Sequence, residues 1–194
     1  EGVAIGPSPL HAQRFLKSIG ITPINNVVDA TNYVMHELGQ PLHAFDFDSI
    51  QGSELRVRLA IEGEKITTLD GVERKLDSSD LVIANATEAM CIAGVLGSEK
   101  HGVSDSTSRI LLESAYFDSV SVRKSAKRHG LSTDASFRFE RQVDPNAVVA
   151  AAERVAELIC KWAGGAVMGA EMIGVDGEVK GAAVELEWNM LDRI

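Results

Sequence analysis

Residues 55–76 read LRVRLAIEGEKITTLDGVERKL, and their apolar and polar side chains alternate on both sides of an Asp-Gly pair. Alternation is typical of strands with one buried face, and Asp-Gly favours a type I′ turn, in which both central residues have positive φ. The stretch therefore predicts a β-hairpin that turns at Asp70 and Gly71. Similar runs follow at 80–85, 90–96 and 109–117, so residues 54–117 predict roughly five or six strands.

Helical patterns flank this block of strands. Apolar residues recur at helical spacing before a glycine at 8–20, 26–39, 118–130 and 144–164, and glycine commonly ends a helix. Between the second helix and the strands, Pro41 disfavours a helical Gln40, so GQPLHAFDFD predicts irregular backbone with His43 in a loop. Helices before and after hairpin-connected strands predict an α+β fold, a sheet core flanked by helices.

Composition excludes several classes of protein. The chain has 194 residues, of which 45% are hydrophobic, and it carries a net charge of −9; this argues against a disordered chain and against general affinity for nucleic acid, so any RNA contact must be a local patch. Cys91 and Cys160 lie far apart, as expected of reduced thiols in a cytosolic protein. The most apolar helical stretch, 147–159, contains three charged residues and is too short to span a membrane.

Common catalytic and metal-binding motifs are missing from the sequence. The five histidines form neither H-x-H nor H-E-x-x-H, which argues against a zinc site. Neither a phosphate-binding glycine loop nor G-x-S-x-G occurs, so the sequence favours neither a nucleotide site nor a covalent serine nucleophile.

Glu113 is the most unusual charged residue, because it lies within the apolar run RILLESAYF. A carboxylate buried there costs on the order of several kcal/mol unless it has a partner. One interpretation is a structural ion pair with Arg138 or Arg141. The other is a carboxylate that faces a ligand, and the residues alone leave both open.

Two other polar features also have structural and functional interpretations. The ring of His43 either packs in a turn, with Asp46 bonded to backbone, or belongs to a site. Basic residues gather near the end of one predicted helix, where they either form a solvated face that complements the helix dipole or meet RNA phosphates; they are Arg123, Lys124, Lys127 and Arg128.

Four stretches occur in a characteristic order: VVDATNYVMHELGQPLHAFD, IAGVLG, ILLESAYF and RHGLSTDASFRFERQVDP. Together they resemble the B3/B4 editing region of bacterial phenylalanyl-tRNA synthetase beta chains, over nearly the whole sequence. The resemblance implies an α+β module with a β-sandwich-like core and a pocket that hydrolyses tyrosine wrongly esterified to phenylalanine tRNA. Such a pocket is useful because a hydrophobic site rejects an added hydroxyl only weakly, by ~10².

The resemblance also assigns roles to individual residues. Glu113 matches the acidic residue that binds the tyrosyl hydroxyl, and His43 matches the editing-site histidine, which would orient water or the tRNA 3′ end. The remaining matches are pocket residues, with small side chains at two of them leaving room for the tyrosyl ring: Thr31, Asn32, Gly97, Thr133 and Ala135. The basic group Arg123, Lys124, Lys127 and Arg128 would then contact tRNA.

The same resemblance implies domain boundaries and partners. Residues 1–173 would be the editing domain and 174–194 a connector and the start of a B5-like domain, so we expect the chain to be part of a longer polypeptide. The partners would be phenylalanine tRNA, tyrosine as editing ligand, the rest of the beta chain and the alpha chain of a cytoplasmic alpha2-beta2 heterotetramer. No cofactor is expected in this segment, since ATP and magnesium act at the alpha-chain site. The alternative is a non-catalytic module that binds tRNA or packs against another subunit.

Two residues depart from the family pattern. Gln142 stands where the family usually has glycine, and Ser98 follows Gly97 where a second glycine is common. Both changes are expected to alter the local backbone without removing Glu113 or His43.

Overall fold

A computed structural model describes residues 1–174. The connector and B5-like start predicted at 174–194 therefore lie outside the described residues, apart from Gly174. Within residues 1–174, no helix has the length and apolar character needed to cross a membrane. The helices are α1 (Leu10–Ser18), α2 (Asn26–Leu38), α3 (Ser119–His129), α4 (Asp134–Phe139) and α5 (Ala147–Ala163).

The predicted helices are confirmed, with small shifts at their ends. Asn25 caps α2 by accepting hydrogen bonds from the N–H groups of Val27 and Val28, and Gly39 ends the helix. Gly130 ends α3 in the same left-handed conformation. By contrast α5 begins at Ala147 rather than at Pro145, and α4, which Thr133 caps, was not predicted.

Eight strands in residues 1–174 form three antiparallel sheets, and the α+β class is confirmed. Seven of them lie in the block where five or six were expected. The sheets are a four-stranded sheet of order β2-β5-β6-β7, a ribbon of β1 and β8, and a hairpin of β3 and β4. The strands are β1 (Leu42–Asp46), β2 (Arg56–Leu59), β3 (Lys65–Thr67), β4 (Glu73–Lys75), β5 (Leu81–Ala84), β6 (Ala89–Ile92), β7 (Leu96–Gly97) and β8 (Ile110–Ser114).

The prediction of a loop around His43 was wrong, because residues 42–46 form β1 and pair with β8. The helix ends at Leu38 with Gly39 as its cap, and after Pro41 the chain is extended, so that His43 lies directly opposite Glu113 in the ladder. Alternate residues of a strand face opposite sides. Ala44 and Leu112 accordingly join the cluster formed by α2 and α5, whereas Phe45 and Leu111 join the cluster on the other side, around the four-stranded sheet.

The hairpin at 65–75 is present, but its turn differs from the prediction. Gly71 has φ of +75° and Asp70 does not have positive φ, so the turn is not type I′. The ladder pairs Thr67 with Glu73, and Thr68 N–H donates to Val72 O at 3.1 Å across a longer loop. Arg74 pairs with Asp70 at 2.7 Å, which stabilises this loop without a two-residue turn.

Candidate functional site

A cavity of about 200 Å³ opens between the β1–β8 ribbon, the β6–β7 edge of the sheet and the start of α4. The predicted pocket residues that line it are Asn32, His43, Gly97, Glu113, Thr133 and Ala135. Thr31 is not among the lining residues, because its buried side chain turns back and donates to Val28 O at 2.8 Å. Residues from five separate segments of the chain therefore meet at one concave site.

Glu113 reaches this cavity from β8 without a protein partner. Among residues 1–174 its carboxyl group forms no hydrogen bond or ion pair, and burial raises its pKa to about 7. The two arginines considered as partners bond elsewhere: Arg138 donates to Asp134 Oδ1 at 2.9 Å, and Arg141 stacks on Phe137 with 3.6 Å from its guanidinium carbon to the ring centroid. The interpretation of Glu113 as half of a structural ion pair is therefore wrong.

His43 projects from β1 on the same face as Glu113. Its ring is held by shape: it packs edge-on against Phe45, with 4.4 Å between ring centroids, and the position of a β-carbon added at Gly97 lies only 2.8 Å from its Cε1 and Nε2. Nε2 is buried and has no hydrogen-bond partner among the described residues. Burial also lowers the pKa of His43 to about 4, so the ring is neutral near pH 7.

The structure gives a different reason from the sequence for why position 97 needs a small residue. A larger side chain was expected to fill the volume of a bound ring, but the first group that it meets is the imidazole of His43. Gly97 lines the cavity and at the same time determines where the histidine can lie.

The polar side chains around the cavity differ in how free they are to bind a ligand. Thr133 Oγ1 donates to Val95 O at 2.8 Å and accepts from Ser136 N–H at 3.0 Å, so its hydroxyl hydrogen is already used. Asn32 lines the cavity with an amide that has no hydrogen-bond partner within residues 1–174. Asn32 is therefore better placed than Thr31 or Thr133 to donate a hydrogen bond to a ligand.

With this geometry established, comparison with known proteins identifies the family. The model of the B3/4 domain family matches residues 1–164. This chain belongs to the B3/4 domain family. Its relatives include the phenylalanine–tRNA ligase beta subunits of Moorella thermoacetica, 53% identical over 86% of this chain and 21% of the relative, and of Bacteroides fragilis, 51% identical over 86% and 20%. That of Anaeromyxobacter dehalogenans is 48% identical over 97% and 24%. This chain thus spans about a fifth to a quarter of the length of these relatives.

The basic residues predicted to meet RNA divide into two groups in this B3/4 domain. Arg128 pairs with the buried Asp80 and donates to Ser79 Oγ at 2.8 Å, so it joins α3 to the sheet. The other three, Arg123, Lys124 and Lys127, are exposed on α3 and form no ion pair with the described residues.

Several residues that line the cavity of the B3/4 domain were not predicted as pocket residues, and two of them contact Gly97. Cys91 of β6 lies across the ladder from Gly97 and lines the cavity; the alternation of β6 could have indicated it, had the pairing been known. Leu69 reaches the cavity from the hairpin loop, where its N–H donates to Gly97 O at 3.0 Å, and nothing in the sequence indicates this contact. In residues 1–174, no group of three or more acidic, histidine or cysteine side chains is arranged to hold a metal ion.

Proposed function

We propose that this B3/4 domain hydrolyses tyrosine that has been esterified to phenylalanine tRNA. The observation that carries the proposal is the unpaired carboxyl group of Glu113 in the wall of a cavity of about 200 Å³. A cavity of about 150 Å³ is large enough to hold benzene, so an aromatic side chain fits beside this carboxyl group. The relatives, which are named phenylalanine–tRNA ligase beta subunits, support the choice of tRNA.

Discrimination between tyrosine and phenylalanine follows from the unmet hydrogen bond of Glu113. The tyrosyl hydroxyl donates to the ionised carboxylate, or accepts from the protonated acid, since both forms are populated near a pKa of about 7. Phenylalanine has no group for this bond and leaves the carboxyl group unpaired, at a cost of about 1–3 kcal/mol. The site therefore selects the amino acid that a hydrophobic synthetic site fails to exclude.

Hydrolysis in this proposal uses water rather than a side-chain nucleophile. Burial and the neighbouring Glu113 raise the pKa of the Cys91 thiol well above its usual value, and such a thiol is a poor nucleophile. His43 is neutral, since its pKa is lowered to about 4, so its ring can orient a water molecule or the 3′ end of the tRNA beside the ester carbonyl. Asn32 binds the amino group or carbonyl of the substrate.

In this proposal, the exposed basic side chains of α3 contact the tRNA. Arg123, Lys124 and Lys127 are exposed and we expect them to contact phosphates, whereas Arg128 stays with Asp80. Binding should then weaken as salt concentration rises. The remaining partners in this proposal are the alpha chain and the rest of the beta chain in a cytoplasmic alpha2-beta2 ligase. ATP and magnesium would bind at the alpha-chain site.

The test uses the complete ligase that contains this chain and measures deacylation of tyrosyl-tRNA beside phenylalanine charging. Glu113→Ala removes the hydroxyl partner and Ala135→Trp fills the cavity, so each should slow deacylation about ten-fold or more and leave charging unchanged. Glu62→Ala, at an exposed glutamate, is the matched control. If both site variants cleared tyrosyl-tRNA at the wild-type rate, the module would be a non-catalytic one that binds tRNA or packs against another subunit.

A further inference from the structure

Gln40 lies in the corner between α2 and β1 and is 1% exposed. Its side-chain Nε2 donates to Ala115 O at 2.8 Å and to Pro41 O at 3.1 Å. Its Oε1 is buried with no hydrogen-bond partner among the described residues, which destabilises the fold. An apolar side chain of the same length would avoid that cost, so packing alone does not account for an amide here.

The register of the β1–β8 ribbon explains what the amide does. Leu42 pairs with Ser114, so the next pair of the ladder would place Pro41 opposite Ala115. Proline has no N–H group and cannot donate to the partner strand. The Gln40 amide supplies a donor at this place and bonds to the Ala115 carbonyl instead.

This end of the ribbon is the end that carries the site. His43 and Glu113 form the pair directly after Leu42 and Ser114, and neither side chain is held by a hydrogen bond of its own within residues 1–174. Their separation and direction therefore depend on how the two strands are joined. The Gln40 amide links the two strands at Ala115, two residues beyond Glu113.

We propose that Gln40 is a positioning residue, whose amide joins the two strands so that His43 and Glu113 hold the geometry needed for hydrolysis. The proposal rests on the proposed function, since it concerns the same site. It assigns Gln40 no contact with the substrate. Loss of the amide should therefore lower kcat while leaving KM nearly unchanged.

The test compares Gln40→Met with Gln13→Met in the complete ligase, using hydrolysis of tyrosyl-tRNA. Gln13 is the matched control, because its Nε2 also donates to a backbone carbonyl, that of Ser8 at 2.6 Å, and it does not line the cavity. We expect Gln40→Met to lower kcat about ten-fold with KM within about two-fold, and Gln13→Met to leave both unchanged. Gln40→Leu, which also has no donor, should show the same loss.

A double-mutant cycle shows whether Gln40 acts through the site histidine. In a His43→Ala background, Gln40→Met should slow hydrolysis by less than about two-fold further, because the group it positions is gone. A loss that is equally large in both backgrounds, a Gln40→Met enzyme that matches Gln13→Met, or a Gln40→Leu enzyme with wild-type kcat would each overturn the role of Gln40. A wild-type ligase that leaves tyrosyl-tRNA intact, or a His43→Ala ligase with full activity, would instead overturn the proposed function.

Discussion

Asp80 and Glu113 are both carboxyl groups near a histidine, but they differ in the partners that surround them. The Oδ1 atom of Asp80 accepts from Ser125 Oγ at 2.7 Å and from Arg128, and its Oδ2 lies 2.7 Å from His129 Nε2. Glu113 lies opposite His43 and has no hydrogen bond or ion pair within residues 1–174. One group is fully paired and the other is not.

The pKa values of the two groups move in opposite directions for this reason. Burial alone raises both, but at Asp80 the hydrogen bonds from Asp77 N–H, His129 and Ser125 outweigh burial and hold the pKa below its usual value. At Glu113 burial acts unopposed and raises the pKa to about 7. A buried carboxylate that is completely satisfied by protein groups is structural, whereas one left unpaired in a cavity has capacity for a ligand.

The first prediction contrasts removal of the two carboxylates, and it has the largest expected effect. Asp80→Ala deprives Arg128, Ser125 and His129 of their shared acceptor and should lower the free energy of unfolding by about 3–5 kcal/mol. Glu113→Ala removes no hydrogen bond and relieves the cost of a buried, unpaired carboxyl group, so it should not lower the free energy of unfolding. Urea unfolding at pH 7 measures the free energy of unfolding of both variants. Equal losses would contradict the distinction between a paired, structural carboxylate and an unpaired one.

The second prediction concerns how the two histidines are held. His129 is fixed by its bond to Asp80, but His43 is fixed by shape, so a methyl group at Gly97 should displace its ring. Gly97→Ala should slow tyrosyl-tRNA hydrolysis about ten-fold and lower stability by about 1–3 kcal/mol.

Gly102→Ala is the matched control for Gly97→Ala. A β-carbon there would meet Leu69 Cδ2 at 3.4 Å and otherwise only backbone oxygens at 3.6 Å and beyond, which are ordinary contacts. Hydrolysis and the free energy of unfolding should stay near wild type. If Gly102→Ala and Gly97→Ala slowed hydrolysis alike, the position of the His43 ring would not be the cause.

The third prediction uses pH to compare the carboxylates. Because the folded-state pKa of Glu113 is raised to about 7, the folded chain keeps a proton that the unfolded chain releases above about pH 4.5, and stability falls as pH rises to 7. Glu113→Gln cannot titrate, so its stability advantage over wild type should grow by about 2 kcal/mol between pH 5 and pH 8. The His43 contribution is common to both chains and cancels in this difference.

Asp80 should give the opposite dependence on pH. Since its folded-state pKa is lowered, its stabilisation is present above the unfolded value and is lost only as pH falls through the lowered one. Thermal unfolding of wild type, Glu113→Gln and Asp80→Asn between about pH 3 and pH 8 checks both signs. A Glu113→Gln difference that does not grow with pH would contradict a carboxyl group raised by burial.

Sequence reasoning succeeded where the information is local and failed where it depends on pairing. Asn25 to Gly39 contains both ends of α2, and the apolar neighbours of Glu113 are adjacent in the chain, so both could be predicted. The register that places His43 opposite Glu113 joins distant segments of the chain. The strand β1 begins directly after Pro41, and the proline had indicated irregular backbone there. The pairing of Arg128 with Asp80 could not be predicted either, because the two residues lie far apart in the sequence.

The last and smallest prediction concerns Gln142, which belongs to neither carboxylate group. Its φ is +69°, a left-handed conformation that costs a non-glycine residue about 1 kcal/mol and that glycine adopts without this cost. Gln142→Gly should raise the free energy of unfolding by about 0.5–1 kcal/mol and leave tyrosyl-tRNA hydrolysis unchanged. Because the gain comes from backbone strain alone, it should be the same at pH 5 and pH 8, unlike that of Glu113→Gln. A gain that varied with pH would mean that Gln142 is coupled to one of the two carboxyl groups after all.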